Sequence, residues 1–195
     1  MLSDFPPLQS PNAIPNNLPS QLTSFIGREN ELAELKRLIP SSHLLTLTGS
    51  GGTGKTRLSM QAAAEMFNTF RNGVWLVELA PLSDLALIAQ TVDSVWGVRE
   101  QPGYTIVSLL LDFLRARRLL IILDNCEHVV EACAQFADNL QRAAPEIKIL
   151  ATSREALGIA EEQAYPVPSL QLPGPKNPLP GEALAQSESI RLFIK

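Results

Sequence analysis

Four glycines within six residues, followed at once by a lysine and a threonine, constrain the fold of this chain more than any other feature. The segment is Gly49-Ser50-Gly51-Gly52-Thr53-Gly54-Lys55-Thr56. An apolar stretch at 44–48 precedes it, and residues 55–70 carry apolar side chains at helical spacing. Because glycine adopts backbone conformations that other residues avoid, the pattern predicts a buried strand, a tight loop and a helix in succession.

The spacing of this loop matches the Walker A pattern G-x-x-x-x-G-K-[ST]. Successive N–H groups of such a loop curl around a phosphate, and the helix that begins near Gly54 adds its positive end. Lys55 would reach the β- and γ-phosphates, and the Thr56 hydroxyl would bind Mg²⁺. We therefore predict a site for ATP or ADP with Mg²⁺, in which Lys55 also serves catalysis. The alternative is a glycine-rich turn that matches by chance.

A second apolar strand, at 119–123, ends in Asp124. This is the Walker B arrangement, which carries a carboxylate to the edge of the sheet where nucleotide sites form. Asp124 is predicted to hold Mg²⁺; the alternative is a helix cap. Many ATPases place a second acid directly after this aspartate to polarise the attacking water. Here that position is Asn125, and Glu127 is the nearest substitute, although an acid there also suits the first turn of a helix.

A third apolar strand is predicted at 147–152 and is followed by Ser153 and Arg154. Polar groups at the end of a strand beside the Walker B strand would face the γ-phosphate, so Arg154 is a candidate sensor of that phosphate. Two other interpretations stay open at this point. Arg154 could be an ordinary surface residue, and Ser153 could cap a short helix.

Strand and helix signals alternate along the chain, with helices predicted at 29–39, 55–70, 85–96, 105–116 and 129–143. Strands this apolar are usually buried on both faces, which predicts an α/β three-layer sandwich with a parallel sheet. Prolines cluster near both ends, so 1–22 and 171–186 are expected to be Pro-rich linkers around a P-loop domain at 23–170. Residues 187–195 are predicted to begin a truncated helical subdomain of a larger protein.

Charge and cysteine content limit the partners of this segment. The formal net charge is -4 and the sequence pI is about 5.2, so no overall field attracts nucleic acid, and direct contact is not expected. The two cysteines are predicted to be free thiols, which indicates the cytoplasm. No uninterrupted apolar run is long enough to span a bilayer, so membrane contact is not expected.

Taken in order, four segments of the chain resemble the nucleotide-binding domain of STAND ATPases, which are signal-transduction relatives of the NB-ARC proteins. The resemblance covers about 18–172 and is closest to the bacterial branch found in LuxR-type transcriptional regulators and beside adenylate cyclase domains. The segments that carry it are 22–29 (LTSFIGRE), 49–56 (GSGGTGKT), 123–129 (LDNCEHV) and 151–158 (ATSREALG).

The resemblance implies a sheet with strand order 5-1-4-3-2 and a sensor role for Arg154. It also implies a switch in which ADP holds a closed state and ATP releases an open, often self-assembling state. The partners would then be the nucleotide and the effector and sensor domains of the same longer chain. Besides the glycine loop, the predicted nucleotide contacts are Phe25, Ile26, Gly27 and Arg28, placed against adenine and ribose, and Arg57.

Three functions are therefore compatible with the sequence. The first is a regulatory ATPase that switches with its nucleotide and hydrolyses ATP slowly. The second is a nucleotide-binding module without significant turnover, which Asn125 keeps open. The third is a P-loop kinase acting on a small molecule, although 80–103 contains one basic residue, Arg99, where a kinase usually has a basic lid.

Overall fold

The computed structural model describes residues 14–19, 25–79, 88, 95–97 and 101–169. The predicted linker at 171–186, the predicted subdomain at 187–195 and most of the predicted helix at 85–96 lie outside these residues. Within the described part, the helices are α1 (Glu29–Ser41), α2 (Lys55–Glu65), α3 (Ile106–Leu114) and α4 (Val130–Ala143). The strands are β1 (Leu44–Thr48), β2 (Val74–Glu78), β3 (Leu120–Asp124), β4 (Lys148–Ser153) and β5 (Glu162–Pro166).

The described strands form one sheet in the order β2-β3-β4-β1-β5, and every pair is parallel. Read from the other edge, this is the predicted order 5-1-4-3-2, so the prediction of a three-layer α/β fold with a parallel sheet is confirmed. The apolar strands β1, β3 and β4 were predicted above from their residues. The strand β5 was implied only by the resemblance.

Alternation along the strands divides the core into two halves. In β3, Ile121 and Leu123 join the hydrophobic cluster that contains α3 and α4 residues, whereas Leu120 and Ile122 join the cluster that contains α1 and α2 residues. All five residues of β3 are buried. Since successive side chains point to opposite faces of a sheet, an apolar strand of this kind must be covered on both sides. The buried sheet then fixes where each strand ends, and with it the position of the polar residues beyond that end.

The helix after the glycine loop is shorter than predicted. The α-helix α2 ends at Glu65, and a 3₁₀ helix, Phe67–Thr69, follows it. Met66 has φ −102 and ψ 9, which is outside the α region, and its N–H donates to carbonyls of the preceding turn. The residues after it, Phe67, Asn68 and Thr69, have weaker helix propensity than the alanine-rich stretch before them. Apolar residues beyond α2, among them Met66 and Phe70, still pack in the α1–α2 half of the core without extending the α-helix.

The segment before the domain contacts an edge of the sheet. The Asn17 amide donates to the Leu76 carbonyl over 2.8 Å and accepts from the Leu76 N–H over 2.7 Å, as a neighbouring strand would. A Cβ at Gly73 would lie 2.1 Å from the Pro15 carbonyl oxygen, so only glycine admits this approach. Residues 14–19 thus cover part of the β2 edge, although the sequence assigns them to a linker.

Candidate nucleotide-binding site

The glycine loop joins β1 to α2 at the carboxyl edge of the sheet. Gly52 and Gly54 have φ of 79° and 84°, which is the left-handed region that L side chains rarely adopt. Gly49 is required for a second reason, because a Cβ there would lie 3.2 Å from the Val167 carbonyl oxygen. The Thr53 hydroxyl donates to the Ser50 carbonyl over 3.0 Å and closes the turn internally. The loop is therefore a preformed compact turn in front of a helix N-terminus.

Lys55 belongs to the first turn of α2, and only 8% of its surface is exposed. Its ammonium donates to the Gly49 carbonyl over 2.7 Å and to the Ser50 carbonyl over 3.0 Å. The ammonium is thus held beside the loop itself. A positive charge, a helix N-terminus and a glycine-rich turn together make a site that suits a phosphate group.

Thr56 and Asp124, the two predicted Mg²⁺ ligands, are in contact with each other. The Thr56 hydroxyl donates to Asp124 Oδ1 over 2.8 Å, and Asp124 itself is 3% exposed. The two residues come from α2 and the end of β3, which are brought together because α2 packs on the sheet. A hydroxyl beside a carboxylate at the end of a phosphate loop is a donor set that suits Mg²⁺.

Thr152 is a further residue of this site that the sequence analysis did not assign. The β3–β4 register places Thr152 next to Asp124, and its hydroxyl donates to Asp124 Oδ1 over 2.6 Å. The same hydroxyl accepts from the Asn125 N–H over 3.1 Å. Two hydroxyls therefore fix one carboxylate oxygen of Asp124. The available signal was a threonine near the end of a largely apolar strand, beside the Walker B strand.

Asn125 directly follows Asp124 and has φ of 64°. Asparagine tolerates this left-handed conformation better than most residues, and the turn it makes leads into a 3₁₀ helix, Cys126–His128, before α4. The structure thus gives Asn125 a backbone role at the end of β3. Its side chain carries no carboxylate to polarise water.

Glu127 and Arg154 form an ion pair at this edge. Arg154 Nε lies 3.4 Å from Glu127 Oε1, and the Arg154 side chain is 65% exposed while that of Glu127 is 14% exposed. The second carboxylate oxygen, Oε2, is buried and has no hydrogen-bond partner among the described residues. Both predicted residues are thus close together, in an ion pair that is exposed on the arginine side and largely buried on the glutamate side.

The segment predicted to contact adenine and ribose lies just before α1. Phe25 packs against the α1–α2 half of the core, and Gly27 and Arg28 have φ of 73° and 62°. The Arg28 guanidinium donates to the Thr53 carbonyl, so this segment contacts the glycine loop directly. Ile26 and Arg57 are each partly buried. Their contact with a nucleotide stays a prediction.

The two cysteines are both free, as expected, and both are buried; Cys126 lies in the 3₁₀ helix and Cys133 in α4. A hydrogen bond with Cys133, together with burial, raises the pKa of the Cys126 thiol. The Cys126 thiol therefore stays protonated and unreactive at neutral pH. No cluster of metal-ligating residues and no helix that could cross a bilayer occurs in the described ranges.

Comparison with curated proteins identifies relatives from mycobacteria. The chain is 37% identical over 170 residues to an uncharacterized protein of Mycobacterium tuberculosis, which covers 86% of this chain and 43% of the relative. It is 41% identical over 138 residues to a protein of the same organism named "Putative HTH-type transcriptional regulator", over 71% of this chain and 15% of the relative. The chain thus spans less than half the length of these relatives. No family model matches it.

Comparison with solved structures identifies the class of fold. A Signal Transduction ATPase with Numerous Domains (STAND) protein from Pyrococcus horikoshii, which carries a tetratricopeptide repeat sensor, superposes with a TM-score of 0.55 at 17% identity. The match covers 75% of this chain and 24% of that one. The chain therefore has the fold of P-loop ATPases, and its predicted resemblance to the STAND class is confirmed at the level of the fold.

Proposed function

We propose that this chain is the nucleotide-binding domain of a larger regulatory protein, in which ATP and ADP stabilise different states and hydrolysis is slow and Mg²⁺-dependent. The observation that carries the proposal is the contact between Thr56 and Asp124 at the end of a glycine loop that also holds Lys55. This is the arrangement needed to bind phosphates and a divalent cation side by side. The relative named as a regulator supports the wider role in transcription. Effector and sensor domains on the same longer chain are part of the proposal.

Each group of the site has a distinct task in this proposal. The loop N–H groups and the Lys55 ammonium bind the β- and γ-phosphates. Thr56 and Asp124 hold Mg²⁺, and Thr152 keeps Asp124 oriented through the hydroxyl contact. Bound Mg²⁺ would neutralise charge on the phosphates. Residues 25–28 and Arg57 line the remainder of the nucleotide, and the protein acts in the cytoplasm.

Arg154 is proposed to report whether a γ-phosphate is present. In the absence of that phosphate its partner is Glu127, through a contact at 3.4 Å that is largely exposed on the arginine side. Because the guanidinium is exposed and its contact with Glu127 is longer than a charge-assisted hydrogen bond, a phosphate within reach can draw the guanidinium away. ATP and ADP would then leave Arg154 with different partners, which is the differential contact a switch requires.

Replacing Arg154 with alanine should weaken ATP binding more than ADP binding. A charge-assisted hydrogen bond contributes roughly 1.5–3 kcal/mol, so we expect the affinity for ATP to fall about tenfold or more, with little change for ADP. Calorimetric titration with both nucleotides measures the ratio. Arg142→Ala is the matched control, since Arg142 pairs with Asp138 on α4. Equal losses for ATP and ADP would reduce Arg154 to a surface residue.

Turnover by this chain should be slow, below about one per second, which is the low end of usual enzyme rates. Asn125 cannot accept a proton, so activation of water falls to Glu127, whose carboxylate is engaged by Arg154. If Glu127 is the base, Glu127→Gln should lower steady-state phosphate release by about 10²-fold or more. Glu131→Gln, an exposed acid in the first turn of α4, is the control. An unchanged rate would remove Glu127 from the catalytic residues.

A nucleotide-binding module without turnover is the second candidate. It is favoured by Asn125 at the position of the second acid and by the commitment of Glu127 to an ion pair. Phosphate release indistinguishable from buffer, in a sample that binds ATP by calorimetry, would establish it. Transfer of phosphate to an added small-molecule acceptor would instead support a kinase.

A further inference from the structure

Arg28 is a buried arginine with an unusual backbone. It has φ of 62° and ψ of 29°, directly before α1, and its side chain is 5% exposed. A non-glycine residue in the left-handed region costs roughly 1–2 kcal/mol, and a buried guanidinium is costly unless it is paired and hydrogen-bonded. Contacts that compensate both costs must therefore hold Arg28 in place.

Three acceptors from different parts of the chain surround this guanidinium. Arg28 Nη1 donates to Glu31 Oε1 over 3.2 Å, which balances the charge. Arg28 Nη2 donates to the Thr53 carbonyl and to the Pro168 carbonyl, each over 2.8 Å. Thr53 belongs to the glycine loop, and Pro168 lies just after the end of β5. One nitrogen thus joins the loop to the segment that leaves the sheet.

The contact with Thr53 leaves the anion-binding side of the loop available. An anion is bound by N–H groups, whereas Arg28 binds a carbonyl. The Thr53 carbonyl and the Gly54 N–H are opposite ends of the same peptide unit. A guanidinium on the carbonyl polarises that peptide and makes the N–H a stronger donor. Arg28 can therefore stay in place, and strengthen phosphate binding, while the loop is occupied.

The segment after β5 also contacts the other end of the loop. The Val167 N–H donates to the Thr48 carbonyl over 2.8 Å. The Val167 carbonyl lies so close to Gly49 that an added Cβ would be 3.2 Å away. Residues 167–168 thus contact the start of the loop directly and reach its last turn, at Thr53, through Arg28.

We infer that Arg28 is a positioning residue that fastens the phosphate loop to the segment leaving β5, so that phosphate binding at the loop also orders residues 167–168. This inference rests on the proposed function, because it concerns the response of the chain to a phosphate in the loop. The contacts of Arg28 with the loop backbone and with the segment leaving β5 give this residue a role in addition to its predicted contact with adenine and ribose. The chain continues from the domain through this segment, so the contact is a route by which nucleotide occupancy can reposition residues C-terminal to it.

The test is amide hydrogen exchange measured by NMR on the full chain, with and without Mg²⁺·ADP. In the wild type, ADP should slow exchange about tenfold or more at Gly54 and at Val167, as expected for a ligand well above its Kd. In Arg28→Met, which keeps an unbranched apolar stem, protection at Gly54 should persist in part and protection at Val167 should be lost. Arg37→Met is the control, because Arg37 is exposed on α1 and pairs with Glu34.

Arg28→Lys is a second variant, for the case in which Arg28→Met does not fold. Lysine keeps the positive charge, but it lacks the planar guanidinium that contacts the two carbonyls and Glu31 together. This variant should show the same selective loss at Val167. Full ADP protection at Val167 in both variants would overturn the inference, and so would a wild type protected at Gly54 but unchanged at Val167. A wild type without ADP protection at Gly54 would contradict the proposed function itself, and the inference with it.

Discussion

Replacing Lys55 with alanine is expected to abolish measurable nucleotide binding at ordinary protein concentrations. The ammonium is nearly buried, 8% exposed, and lies beside the loop carbonyls of Gly49 and Ser50. Removing one partner of a buried charged contact costs roughly 2–5 kcal/mol, or about 30-fold to several-thousand-fold in affinity. Calorimetric titration with ATP and ADP measures the loss.

Two further measurements make the Lys55 result specific. Lys36→Ala removes another lysine, which pairs with Glu65 between α1 and α2, and it should leave affinity unchanged. The thermal midpoint of Lys55→Ala should stay close to that of the wild type in the absence of nucleotide, since the two carbonyls it leaves belong to partly or fully exposed residues. Unchanged ATP affinity in a folded Lys55→Ala protein would contradict the assignment of the loop.

Asp124 is expected to be the residue through which Mg²⁺ increases the affinity for nucleotide. Loss of a residue that holds or orients a metal typically costs about 10–100-fold in metal affinity. We therefore expect Mg²⁺ to increase the nucleotide affinity of Asp124→Ala about 10–100-fold less than it increases that of the wild type. The substitution should also destabilise the fold, because the Thr56 and Thr152 hydroxyls lose their acceptor. Titration of ATP with Mg²⁺ and with EDTA separates the metal effect from stability.

Asp124→Asn distinguishes the effect of the carboxylate charge from the effect of the hydrogen bonds that this side chain accepts. The amide oxygen can still accept from Thr56 and Thr152, so the thermal midpoint should be largely retained while the Mg²⁺ dependence is lost. Asp138→Asn is the control, an aspartate on α4 that pairs with Arg142. If Asp124→Asn keeps the full Mg²⁺ dependence, the carboxylate does not bind the metal.

The sequence predicts a strand well where the strand is buried on both faces of the sheet. The strand β3 is apolar at four successive positions and is buried on both faces, so its residues alone indicate a central strand. The glycine loop is equally explicit, because its backbone needs glycine at Gly52 and Gly54. These two features place Lys55, Thr56 and Asp124 together before any coordinates are known.

The strand β5 shows why some strands cannot be predicted from their residues. Its residues, Glu162 to Pro166, are mostly polar or small, and none of them is fully buried. It lies at the sheet edge, pairs only with β1 among the described strands and ends in proline, which is tolerated at edges. Without an apolar face to detect, the residues give no strand signal. Its pairing is decided by the β1 backbone.

Polar contacts between residues far apart in the sequence are, like the edge strand, a feature that sequence patterns do not predict. Arg28 and Pro168 are 140 residues apart, and Glu127 and Arg154 follow different strands, yet each pair is in contact. The identity of each residue was visible, but the partner depends on how helices and strands pack. Sequence patterns therefore indicated the candidate residues but not the contacts between them.

Residue-resolved titration of the wild-type chain tests nucleotide binding at the glycine loop most directly. Mg²⁺·ADP and Mg²⁺·ATP are titrated into isotope-labelled protein, and backbone amide shifts are followed by NMR. We predict saturable shifts that are largest at residues 49–56, extend to Asp124 and are absent in Lys55→Ala. No shift at millimolar nucleotide, or shifts that leave residues 49–56 unchanged, would contradict nucleotide binding at this loop.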